Sequence, residues 1–163
     1  MQKLIDLALI RKTKRKIRGV VRKTPLQESI NYSQKYNSKI FFKREDLQKV
    51  KSFKIRGAYT KILSIEKTEA KNGLVCASAG NHAQGFAVSC SLLDYTGTVF
   101  MPSTTPSLKV GLVKKFGGKN ITIKLEGENF SQAYKSASDY CKSHKKTFIH
   151  PFDDIKVIEG QAT

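Results

Sequence analysis

The sequence holds no stretch of eighteen or more apolar residues, and its N-terminus has no apolar core followed by a small-residue cleavage site. Neither a membrane span nor a secretory signal is supported, so a cytoplasmic location is expected and a membrane partner is not. Cysteine is scarce as well. Cys76, Cys90 and Cys141 are odd in number, far apart and outside any CxxC pair, which argues against a disulfide framework and leaves them as buried small hydrophobes. Acidic residues are few: 13 Asp and Glu face 30 Lys and Arg, for a net charge of +17 over 163 residues. That excess makes nucleic acid a partner to weigh, and it is uneven, since residues 1–23 carry nine basic side chains against Asp6 alone. No helix-turn-helix signature, zinc spacing or aromatic-bearing RNA sheet accompanies the charge. Lysines are scattered over helical patterns, so a solvated basic surface is expected and nucleic acid is not.

What the chain does have is alternation. Short β-rich runs at 40–43, 74–77, 98–101, 121–125 and 147–150 are interleaved with helical patterns at 53–65, 81–93, 105–116 and 130–143. Asn72-Gly73, Gly117-Gly118 and Gly127 punctuate them as turns. This is the βαβα pattern of a parallel sheet covered by helices, an α/β fold of three layers. Phe130, Ala133, Tyr134, Ala137 and Cys141 share one helical face, as a core stripe does. Residues 4–21 read as a basic surface helix closed by Thr24-Pro25, and residues 155–163 as a new element with no turn or cap to close it.

Two segments have the composition of a chemical site. In Ser52-Phe53-Lys54-Ile55-Arg56-Gly57, a loop runs directly into a helix. The positive end of the helix dipole and the neighbouring Arg56 both favour an uncharged amine at Lys54, which is how a lysine is prepared to attack a carbonyl. The alternative is one more solvated surface lysine. In Ser78-Ala79-Gly80-Asn81-His82, small residues follow an apolar strand and open a helix. Such a loop can receive a carboxylate or phosphate on backbone amides, and equally Ser78 or Asn81 can be a plain N-cap. His82, His144 and His150 show no metal-ligand spacing, so no metal is expected. Asp153 and Asp154 are read as loop structure.

The ordered segments Lys43-Arg44-Glu45-Asp46-Leu47-Gln48, Ser-Phe-Lys-Ile-Arg-Gly-Ala-Tyr at 52–59, Ala77 through Gly85, Met101-Pro102, Pro151-Phe-Asp-Asp154 and Gly160-Gln-Ala-Thr163 resemble the threonine dehydratases. These are the threonine ammonia-lyases of isoleucine biosynthesis, within the tryptophan-synthase-β-like, fold type II pyridoxal-phosphate enzymes. The resemblance runs from about Thr24 to Thr163. It implies pyridoxal 5'-phosphate as cofactor, bonded to Lys54, which later takes the α-proton of L-threonine. It also implies that Phe53 packs near the cofactor ring, that Asn81 bonds its phenolic oxygen, and that Ser78, Ala79, Gly80, Asn81 and His82 receive the substrate carboxylate. The products would be 2-oxobutanoate and ammonia, with L-serine as an alternative substrate.

Serine racemase is the nearest competitor, but its loop resembles Ser-Ser-Gly-Asn-His, and the serine that moves a proton there is Ala79 here. By the resemblance, residues 52–148 make a small subdomain, while 1–51 and 149–163 are pieces of a larger one. The glycine-rich phosphate loop, the group facing the pyridine nitrogen and the regulatory domain would all lie beyond Thr163. The activity is therefore expected to be incomplete in these 163 residues, and the chain to be the N-terminal part of a catalytic domain whose relatives are homo-oligomers. Ala162 departs from the usual Gly-Gln-Gly-Thr.

Overall fold

The computed structural model describes residues 6–163. Four parallel strands make the main sheet in the order β5-β4-β3-β6: β3 (Leu74–Ala77), β4 (Gly97–Met101), β5 (Ile121–Leu125) and β6 (Thr147–Phe148). β3 pairs with β4 from Leu74 opposite Gly97 to Ala77 opposite Phe100, and both strands are buried along their whole length. Because side chains alternate across a strand, Leu74, Cys76, Val99 and Met101 enter one core and Val75, Ala77 and Phe100 another. The first core is closed by α3 (Lys54–Leu63), α4 (Asn81–Leu93) and α5 (Ser107–Gly117), and the second by α6 (Phe130–Ser143) through Ala137 and Cys141. This is the three-layer arrangement expected of the alternation. Cys76, Cys90 and Cys141 are all buried and unpaired.

Three segments differ from their sequence patterns. The basic helix α1 is Leu7–Lys16, shorter than the run at 4–21, whose residues 4 and 5 lie outside the described range. It ends because Ile17 and Val21 turn inward against Val50, Ile55, Tyr59 and Val88, and Gly19 takes a positive φ of 92° to make the turn. A small antiparallel ribbon pairs β2 (Phe41–Lys43), the run at 40–43, with β1 (Leu26–Glu28) through α2 (Ile30–Lys35); β1 and α2 have no counterpart in the sequence pattern. Finally, residues 155–161 form α7, capped by Asp154, whose carboxylate accepts from the amides of Lys156 (2.8 Å) and Val157 (3.1 Å). Asp154 thus caps the start of α7, and Ala162 closes its other end, its amide donating to the Ile158 carbonyl oxygen at 3.0 Å.

α7 crosses α3 with backbones in contact. A Cβ at Gly160 would lie 2.5 Å from the Arg56 carbonyl oxygen and 2.7 Å from the Gly57 Cα. Ala162 has φ −71° and ψ −8°, an ordinary helical conformation, so alanine in place of glycine introduces no backbone strain there. α1 is fastened to α7 by the buried Glu159, which accepts from the Thr13 hydroxyl and from Lys156 Nζ (2.7 Å).

Candidate active site

Lys54 is the first residue of α3, preceded by Phe53 at the cap and with no acidic side chain in the first turn. Its Nζ donates to the carbonyl oxygen of Pro151 at 2.8 Å and lies 5.5 Å from the centre of the Phe53 ring. Burial pushes the amine below the ordinary lysine range. The direction is the one expected from the sequence, but the cause is corrected. Arg56 exerts no such push, because its guanidinium is held bidentate by Glu45 at 2.7 and 2.8 Å and its charge is matched there.

The loop at 78–82 stands at the carboxyl end of β3, where ligands collect in open α/β sheets. Ser78 is tied to β4 by its amide, which donates to the Phe100 carbonyl at 3.0 Å, and its hydroxyl accepts from the Gly80 amide at 3.2 Å. Gly80 is the N-cap of α4, and no side chain caps the helix. Neither Ser78 nor Asn81 therefore serves as a side-chain N-cap, and no side chain takes up the first amides of α4, donors that a helix start leaves without an intrahelical partner. A Cβ at Gly80 would meet nothing within 4 Å, so the approach to these amides is open. Ala79 and Asn81 flank it, with Ala79 half-buried and Asn81 exposed.

His82 is 3% exposed, with Nε2 3.2 Å from the Ile149 carbonyl oxygen. A carbonyl accepts, so Nε2 carries the proton and Nδ1 is an acceptor, and Nδ1 has no partner although buried. Burial first, and then the charges of Lys54 and His150, bring His82 down from 6.5 to about 4. The start of α4 and the start of α3 lie side by side. What brings them together is Gly85, one turn into α4. A Cβ there would be 3.2 Å from the backbone of Lys54 and Ile55. A mid-helix glycine costs about 1 kcal/mol relative to alanine, and here it lets α4 lie against the start of α3.

Sequence reasoning gave no role of their own to Glu45 and Gln48 and read Arg56 only as a cation beside Lys54, whereas the structure joins the three in one network. Arg56 also donates to the Arg22 carbonyl and to Thr163 Oγ1, both at 3.2 Å. Gln48 donates to the Arg22 carbonyl (2.9 Å) and to Glu45 (3.2 Å) and accepts from the Arg22 amide (3.0 Å), while Thr24 donates to Glu45. Burial pushes Glu45 up, yet the hydrogen bonds from Arg56, Thr24 and Gln48 outweigh it and hold the carboxyl below its ordinary value. The signal was the three-residue spacing of Glu45 and Gln48 on one short turn. The network anchors α3, and so Lys54, to the segments before and after it. Asp153 and Asp154 are no acid–base pair: Asp154 caps α7 and bridges Lys61 at 2.8 Å, and the Asp153 amide donates to His150 Nδ1 at 2.7 Å. No cluster of metal-ligating side chains occurs among the described residues.

A family model described as pyridoxal-phosphate dependent enzyme matches residues 17–163. The biosynthetic L-threonine dehydratase IlvA of Bacillus subtilis is 50% identical over 160 residues, covering 98% of this chain and 38% of that protein. Its counterpart in Halalkalibacterium halodurans is 50% identical over 147 residues, or 90% of this chain and 35% of that one. The chain thus spans little more than a third of the length of these curated relatives. Among solved structures, processed threonine deaminase isoform 2 from Solanum lycopersicum superposes with a TM-score of 0.81 at 34% identity, over 95% of this chain and 43% of that chain. Maize serine racemase gives 0.85 at 29% identity, over 95% and 46% respectively. A family match running from Ile17 to Thr163, over a fold whose strand ends bring Lys54 to an uncapped helix, makes this chain a member of the pyridoxal-phosphate dependent enzymes.

Proposed function

We propose that this chain carries the lysine-bearing half of a threonine dehydratase site, for the deamination of L-threonine to 2-oxobutanoate and ammonia on the way to isoleucine, with L-serine as the second substrate and the cytoplasm as its compartment. In this reading residues 52–148 are the small subdomain, and the flanking segments belong to a larger one. The observation that carries the proposal is Lys54. Its amine is lowered by burial, has no carboxylate partner, and sits beside the open N-terminus of α4.

The residues present suit pyridoxal phosphate at two points. An amine bonded only to a carbonyl oxygen is free to join an aldehyde carbon once deprotonated, and the orphaned Nδ1 of His82 and the uncapped α4 amides leave polar capacity unspent around it. When bound, the cofactor supplies the electron sink for bond breaking at the α-carbon of an amino acid. The chain's own residues do the rest. Phe53 offers a ring face beside Nζ, and Asn81, exposed at the first turn of α4, can donate to an oxygen of the cofactor. The amides after Gly80 receive the substrate carboxylate, where the helix dipole favours an anion. Lys54 Nζ holds or accepts the α-proton. Ala79 has no proton to give from the other face, which favours a dehydratase over a racemase reading, and the fold alone does not separate the two.

Borohydride trapping of the chain with pyridoxal phosphate, followed by peptide mapping, tests the proposal. Label concentrated on the peptide carrying Lys54 and lost in Lys54→Ala is the expected result. Label spread over surface lysines and unchanged in the variant overturns it.

A further inference from the structure

The positive charge of the N-terminal segment converges on one concave surface. A groove of about 290 Å3 lies between α1 and the turn that follows it, lined by Arg11, Lys14, Arg15, Arg18, Arg22 and Lys23, with the buried Ile17, Val21 and Arg56 completing the lining. No carboxylate lines this groove. The charge of Arg56 is matched by Glu45, whereas the other six form no ion pair among the described residues. All six are exposed side chains.

Such an arrangement opposes the stability of the helix that bears it. Arg11 lies four residues before Arg15, a spacing at which like charges repel along a helix face. The carbonyl end of α1 offsets this for Lys14, Arg15 and Lys16 in its last turn. Arg11 lies before that turn, and Arg18, Arg22 and Lys23 come after it. Low-dielectric walls from Ile17 and Val21 strengthen the field inside a cleft of one sign.

We propose that this groove binds a small multivalent anion, a di- or triphosphate group, at a site separate from that of Lys54. Its volume is at the lower end for ligand pockets, roughly 300 Å3, enough for a polyphosphate with any esterified group left outside. A nucleic-acid strand needs a longer basic track with aromatic stacking platforms, and no aromatic side chain lines the groove.

Calorimetric titration of the full chain, without pyridoxal phosphate, with inorganic tripolyphosphate is the test. The expected result is one saturable site, with sulfate at least about tenfold weaker because fewer charges are matched. Arg15→Glu with Arg18→Glu should weaken tripolyphosphate at least about tenfold, and Arg15→Lys with Arg18→Lys should retain most of the affinity. Lys12→Glu with Lys16→Glu makes the same charge change on α1 outside the groove and should stay within about twofold. A nucleoside triphosphate bound as well as tripolyphosphate assigns the site to an esterified polyphosphate, and a weaker one assigns it to the free ion. No saturable binding, equal weakening by the two glutamate pairs, or tighter binding of a single-stranded RNA dodecamer each overturns the proposal. Borohydride labelling of Lys54 should be unchanged in both glutamate pairs, so the two sites stand or fall separately.

Discussion

Lys54 Nζ donates to the carbonyl oxygen of Pro151, 97 residues further along the chain, at 2.8 Å. The lysine is therefore positioned by the strand-to-helix loop between β6 and α7 as much as by its own helix, and that loop is in turn fixed by Asp154, which caps α7 and bridges Lys61.

Covalent capture of pyridoxal phosphate by Lys54 should reach half its maximum at a lower pH than capture by an exposed lysine, about 10.4, because burial lowers the amine. The fraction trapped by borohydride against pH, with the Lys54→Ala background subtracted, measures this. A midpoint equal to that of a free lysine side chain would mean that the amine is solvated. The linked stability has the same sign. The unfolded chain binds more protons between the lowered and the ordinary value, so stability rises with pH across that window.

Replacing Glu45 by Gln should destabilise the chain by about 3 kcal/mol at pH 7, since it leaves the buried Arg56 guanidinium without its counter-charge. The side chains of the pair are only 8% and 14% exposed, so solvent screens little of the effect. The folded value of Glu45 is depressed. Its contribution is thus complete above the ordinary value of 4.5 and is lost as pH falls through the lowered one. Urea unfolding of parent and variant should therefore show a wide gap at neutral pH that closes in acid. A constant gap over that range would exclude the pair as its origin.

His82 supplies a second acid-sensitive element, in a higher window. Its folded value of about 4 lies below the ordinary 6.5, so the unfolded state binds more protons between the two. Stability is complete above 6.5 and falls as pH drops toward 4. At about 1.4 kcal/mol per tenfold change in proton affinity, the shift is worth roughly 3 kcal/mol. The urea midpoint should decline between pH 6.5 and 4.5 in the parent and flatten there in His82→Gln, whose amide can still donate to the Ile149 carbonyl. An unchanged slope in the variant would assign the decline to other groups.

How far these features could be read in advance depended on how local their causes are. β3, α4, β5 and α6 have the bounds that their patterns give, because each is set by turn residues and by an apolar stripe contiguous in sequence. α1 was overrun because the feature that ends it, the burial of Ile17 and Val21 against Val50 and Ile55, involves residues 29 to 38 positions away. The placing of Lys54 and of the 78–82 loop at helix starts was legible, since a lysine or a small-residue loop before a helix is a local pattern. The cause of the lysine's depression was not, because the partner that neutralises Arg56 is Glu45, on a different element. The cationic groove was visible as a charge excess and not as a cavity, since its walls come together only when the chain turns at Gly19.

Two glycine-to-alanine changes should move stability in opposite directions. Gly111, inside α5, has open space where a Cβ would go. Alanine there should stabilise the chain by about 0.5–1 kcal/mol through the lower entropy of its unfolded state. At Gly160 the same Cβ would lie 2.5 Å from the Arg56 carbonyl oxygen, 2.6 Å from Thr60 Oγ1 and 2.7 Å from the Gly57 Cα. Two of these three atoms are backbone and cannot swing aside, so α7 has to move off α3 at a cost of about 1–3 kcal/mol. Separation of α7 also withdraws the Pro151 loop from Lys54. Gly160→Ala should therefore reduce selective borohydride labelling of Lys54 as well as thermal stability, whereas Gly111→Ala should raise stability and leave the labelling intact. A Gly160→Ala chain that keeps both would show that the contact between these helices does not hold the lysine in place.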